Sequence, residues 1–147
     1  MENVETTNQN EKSTIEQAEN EAIDKLNKRV ALYKKDEKKA ERDANIVKEN
    51  LLPFIERIGK KLAKGIIDSI KFLYDAMVDP RTPIEAKLIA IAALIYLISP
   101  VDIIPDIIPG IGFVDDAAAI TAAVASISVI LLNHGIHLEE KKTNEQP

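Results

Sequence analysis

The sequence predicts an all-α fold: a small helical domain built on a central apolar helical hairpin with a Pro/Asp-rich elbow, preceded by a long charged helix. Two observations carry this expectation. Apolar residues recur at spacings of three and four from Ile23 to Leu51, and at helical spacing again from Phe54 to Met77; that is the period of a helix with one buried face. Two proline-led helix-start signals, Thr82-Pro83-Ile84-Glu85 and Ser99-Pro100-Val101-Asp102, then bracket an almost wholly apolar segment.

Composition narrows the classes. At 147 residues the chain has room for one small domain with appendages. A net charge of -5 and a pI of about 5.1 exclude a nucleic-acid binder working by bulk basicity. The absence of cysteine excludes disulfides, thiolate catalysis and cysteine-based zinc sites. Met1-Glu2-Asn3-Val4-Glu5 shows neither a basic n-region nor an apolar h-region, so no cleavable signal and a cytoplasmic N-terminus are expected.

Residues 1–14 are polar and aperiodic and read as a disordered tail. Residues 15–50 read as one charged amphipathic helix. Its stripe is Ile23, Leu26, Val30, Tyr33, Glu37, Ala40, Ala44, Val47 and Leu51, with Glu37 the break and mixed-sign Lys and Glu between. The stripe fits self-association of residues 23–51 as a coiled coil. The alternative is a long helix folded back on its own domain, and alanines at two stripe positions with Glu37 at a third weaken a coiled-coil seam.

Pro53 marks the start of a further helix at its first turn. Residues 51–78 then read as a basic amphipathic helix, with Lys60, Lys61 and Lys64 off the apolar stripe. Such a helix suits an anionic membrane surface; packed on a protein core, its lysines would simply face water. Gly59 and Gly65 lower its intrinsic helicity, so packing or lipid must hold it.

Residues 79–135 form the apolar hairpin domain. Asp79-Pro80-Arg81 is a turn, and Thr82 caps the next helix in a capping box with Glu85. From Leu88 to Ile98 that helix is apolar on every side, so it must be buried in protein or in lipid. Ser99-Pro100-Val101-Asp102 opens a short turn ended near Pro105, and Pro109-Gly110-Ile111-Gly112 is a second turn. Asp115 or Asp116 caps a helix of residues 116–132, where Ala118 and Ala122, and Ala119 and Ala123, are four apart. Asn133-His134-Gly135 stops it, and residues 136–147 are a polar tail. Residues 88–98 and 117–132 each fall short of the about 20 apolar residues a span needs. Arg81, Lys87, Lys141 and Lys142 flank the hairpin, so if it enters a membrane both its ends face the cytoplasm.

The string from Asp79-Pro80-Arg81-Thr82-Pro83 through Tyr96-Leu97-Ile98-Ser99-Pro100-Val101-Asp102-Ile103-Ile104-Pro105-Asp106-Ile107-Ile108-Pro109 to Gly112-Phe113-Val114-Asp115-Asp116 resembles the YkvA family. That is a bacterial family of unknown function. The motif positions Ser99, Pro100, Asp102, Pro105, Asp106, Pro109, Gly112, Asp115 and Asp116 are all met. The resemblance covers residues 79–125. It implies a small, membrane-associated helical domain with no established activity.

Four carboxylates in that stretch, Asp102, Asp106, Asp115 and Asp116, have the oxygen chemistry of a Mg²⁺ or Ca²⁺ site. The reading preferred is that each caps a helix or turn through backbone N–H groups. Ser99 has no neighbouring base, and Pro109-Gly110-Ile111-Gly112 lacks the lysine of a phosphate loop. His134 and His137 with Glu139 form only a sparse metal motif, and a histidine near a helix C-terminus is favoured by the dipole anyway. No cofactor is expected. The function expected is a membrane-associated structural or interaction module of unknown biochemical activity; the alternative is an ion-handling protein or enzyme built on the aspartate elbow.

Overall fold

The computed structural model describes the backbone of residues 2–98 and 112–138, and the side chains of residues 16–98 (except 18) and 117–138. Among the described residues there are helices and no strand: α1 (Glu2–Lys35), α2 (Glu37–Ile58), α3 (Lys64–Val78), α4 (Ile84–Ile98) and α5 (Gly112–Asn133), with a 3-10 turn at Gly59–Lys61. The all-α expectation holds.

The hub is α4. All four other helices pack against it, which explains why it is apolar on every side. Ala86, Leu88 and residues 90–97 are buried, and all of these but Tyr96 join Leu73, Ile70, Val47, Ile120 and Ile127 in one core. Around α4, therefore, the burying medium is protein.

Three boundaries differ from the sequence reading. Backbone helicity begins at Glu2, so residues 2–14 open α1 instead of forming a tail; no proline or glycine interrupts them, and early acids suit the helix dipole. The single helix expected over residues 15–50 is two, divided at Asp36. Asp36 leaves helical geometry at φ -138° and its carboxylate accepts the Lys39 N–H at 3.2 Å, capping α2. The amphipathic stripe then lies on the chain's own core: Leu26, Tyr33, Ala40, Val47 and Leu51 are all buried in it. Pro53, expected to begin a helix, sits inside α2. Its missing N–H deprives only the exposed Glu49 carbonyl, which water can serve. The break falls later, at Gly59–Lys61, and divides the expected basic helix of residues 51–78.

The start of α4 also differs. The Pro83 carbonyl accepts from the Lys87 N–H at 3.0 Å, so proline holds the cap position expected of Thr82. Thr82 is buried with its Oγ1 unpartnered among the described residues. The turn is held by Asp79 instead. Its carboxylate accepts from the Arg81 N–H at 2.8 Å and from the guanidinium at 2.9 and 3.1 Å. That contact raises the Arg81 pKa further above its ordinary value.

The turn of residues 79–83 makes α3 and α4 antiparallel neighbours, and the break at Asp36 folds α2 back on α1. Ala22, Tyr96 and Ala119 cluster together, which places the start of α5 beside the end of α4. The bundle thus has two ends. One gathers Asp36, the 79–83 turn and the close of α5; the other gathers the starts of α3 and α5 and the end of α4.

The stop of α5 is as expected. Gly135 has φ +67°, its N–H donates to the Leu132 carbonyl, and the Ile136 N–H donates to Leu131 at 2.9 Å. A Cβ there meets no neighbour, so the cost of Gly135→Ala is conformational alone. We expect it to destabilise the fold by about 1 kcal/mol, read by urea denaturation. An unchanged midpoint would show that the helix end relaxes freely.

Candidate functional site

The surface that stands apart is the outer face of α5. Its inner face is set by Ala119, Ile120, Ala123, Ile127 and Leu131, all buried. Opposite them Thr121, Ala125, Ser126, Val129 and Leu132 are exposed, Val129 at 60% and Leu132 at 70%. No charged side chain lies on α5 after Asp116. Each of the other peripheral helices wears charge outward: Asp24 and Lys28 on α1, Glu41 and Arg42 on α2, Asp68 and Lys71 on α3. A helix in contact with water ordinarily carries charge on its outer face. A charge-free one that exposes Val and Leu has the character of a contact surface.

Lys60 and Lys61 lie in the 3-10 turn and Lys64 begins α3, all exposed. They are not one helix stripe, but they do sit together in the chain at the end of the bundle where α4 finishes. α3 packs beside α5, so Lys64 opens the helix next to the one with the charge-free face, and Lys60 and Lys61 lie in the turn that leads into it.

Of the motif residues, Ser99, Pro100, Asp102, Pro105, Asp106 and Pro109 lie outside the described residues. Gly112 is the first residue of α5, and the backbones of Asp115 and Asp116 belong to its opening turns. Helix therefore begins ahead of both aspartates, which puts them inside α5 and not at its cap. Among the described residues no group of acids and histidines could hold a metal. His134, considered as a ligand, has its Nδ1 2.8 Å from the Ile130 carbonyl.

A polar cluster that sequence reasoning missed joins α1 to α2. The Asp43 carboxylate accepts from the Tyr33 hydroxyl at 2.5 Å and from the Arg29 guanidinium at 3.0 Å. Tyr33 and Asp43 are buried. Burial, and next the hydrogen bond to Asp43, push the Tyr33 pKa well above the ordinary tyrosine value. The phenol therefore remains a donor, and the cluster acts as a lock between helices. Tyr33 fell within the apolar stripe and Asp43 outside it, so the stripe alone gave no sign of their pairing.

Residues 86–122 match the model of a family described as a protein of unknown function, DUF1232. The match runs from α4 through residues 99–111 into α5. The segment is YkvA-like. A relative from Bacillus subtilis (strain 168), bearing the name "Uncharacterized membrane protein YkvA", is 49% identical over 41 residues. Those residues are 28% of this chain and 39% of the relative's length. No solved structure matches the chain. The YkvA-like segment thus contains the hub helix and the first part of the helix with the charge-free face. α2 and α3 lie outside it, as does nearly all of the charged surface.

Proposed function

We propose that the protein is a membrane-associated helical module with a structural or interaction role, docked on the cytoplasmic surface of the cell membrane through the outer face of α5. The observation that carries this reading is the absence of charge from that face in a bundle otherwise clothed in Lys, Glu and Asp. The name of the YkvA relative, a membrane protein, supports it. Among the described residues no helix is long and apolar enough to cross a membrane; the mode proposed is interfacial. Lys60 and Lys61 in the 3-10 turn and Lys64 at the start of α3 meet anionic headgroups while Val129 and Leu132 enter the acyl boundary. Both chain ends remain on the cytoplasmic side.

The test is flotation of the full chain with vesicles of phosphatidylglycerol and phosphatidylcholine. Each lysine near an anionic surface adds about 1 kcal/mol, and salt screens it. Changing Lys60, Lys61 and Lys64 to Gln should weaken binding in part, most at low salt. Ala125→Glu with Val129→Glu should weaken it far more, because a carboxylate resists leaving water. Both positions are exposed, so the fold tolerates the change. Unchanged flotation of the glutamate variant would overturn docking through α5.

A further inference from the structure

We infer that the cleft between α2 and the start of α4 is a binding site for an alkyl-chain carboxylate, a fatty-acid anion held tail-down. The cleft has a volume of about 630 Å³, within the roughly 300–1,000 Å³ of small-molecule sites. Its floor is Tyr33, Ala40, Ala44, Met77, Leu88 and Ile91. The small floor residues make the space. In the α1–α2 stripe most positions carry a large side chain that reaches the core, but Ala40 and Ala44, just after the break at Glu37, do not. The irregularity of the stripe and the cleft coincide.

The floor offers a ligand no free hydrogen-bonding group. Its one hydroxyl, on Tyr33, is engaged by Asp43. It therefore recognises an apolar tail by fit. The charged lining residues are Lys34, Lys48 and Lys87 against Glu37, Glu41 and Glu85. Five of these are exposed and face water; Lys87 alone is half-buried. Among the described residues no acid pairs with Lys87. An ammonium partly withdrawn from water beside an apolar floor selects an anionic head. The balanced rim supplies no strong positive field, which favours a monoanion over a phosphate.

The test titrates the full chain with decanoate below its micelle concentration, using decanol and decyltrimethylammonium as neutral and cationic controls of equal chain length. Saturable decanoate binding at one per chain, tighter than either control, is expected. Lys87→Gln should weaken decanoate about tenfold and leave decanol unchanged. Ala44→Leu, which fills the floor, should abolish both. The Ala125→Glu, Val129→Glu variant should bind decanoate as the wild type does, separating this site from the lipid-docking face. Absence of saturation, equal binding of decyltrimethylammonium, or decanoate binding undiminished in Lys87→Gln would each overturn the proposal. If Ala44→Leu fails to fold, as circular dichroism will show, the Lys87→Gln comparison still decides.

Discussion

Asp43→Ala is expected to destabilise the protein by about 3 kcal/mol, as read by urea denaturation. The carboxylate is 9% exposed and serves two donors from the facing helix, the Tyr33 hydroxyl and the Arg29 guanidinium. Its removal leaves a buried phenol without its acceptor and takes one ion-pair partner from a guanidinium that is 20% exposed. Tyr33→Phe should cost less, since Asp43 keeps Arg29. In the double variant the phenol penalty disappears, so the two losses should add to more than the measured total. Strict additivity would mean that the three groups do not act as one lock. A loss below about 1 kcal/mol for Asp43→Ala would mean that water reaches the cluster and replaces the carboxylate.

How much of this was legible in the sequence depended on whether a local signal had a competitor. The apolar run of α4 had none: a helix without a polar face must be surrounded, and it is. The end of α5 was legible because Gly135 supplies a conformation other residues resist. The break at Asp36 was hidden. Its cap is a lone Asp with Lys39, not a Glu, three positions on, so no capping box marks it, and the stripe runs on through it. The only sign was Glu37 in an apolar position. Pro53 misled for the opposite reason, a strong signal overridden because the bond it removes lies on the watery side of α2. The outer face of α5 could not be chosen beforehand. Ala118 with Ala122 and Ala119 with Ala123 offer two equivalent faces at the same spacing. Packing against α4 selects the second pair, which is buried, and leaves the first half-buried.

The hub position of α4 gives the second large effect. Leu94 is wholly buried, in the middle of α4, and belongs to the main core. Leu94→Ala is expected to cost about 3 kcal/mol in urea denaturation of the protein in detergent-free buffer, from lost transfer energy plus the cavity that rigid neighbours cannot close. The expected size is itself diagnostic of what surrounds the helix. If α4 met lipid chains, fluid hydrocarbon would refill the space and most of the cavity cost would vanish. Leu132→Ala is the control: at 70% exposed on the outer face of α5, it should fall within about 0.5 kcal/mol of wild type. It should nevertheless weaken vesicle flotation, because the same side chain is proposed to enter the acyl boundary. The two leucines thus separate burial in protein from contact with lipid. A loss of less than about 1 kcal/mol at Leu94 would mean that α4 is not enclosed by the other four helices.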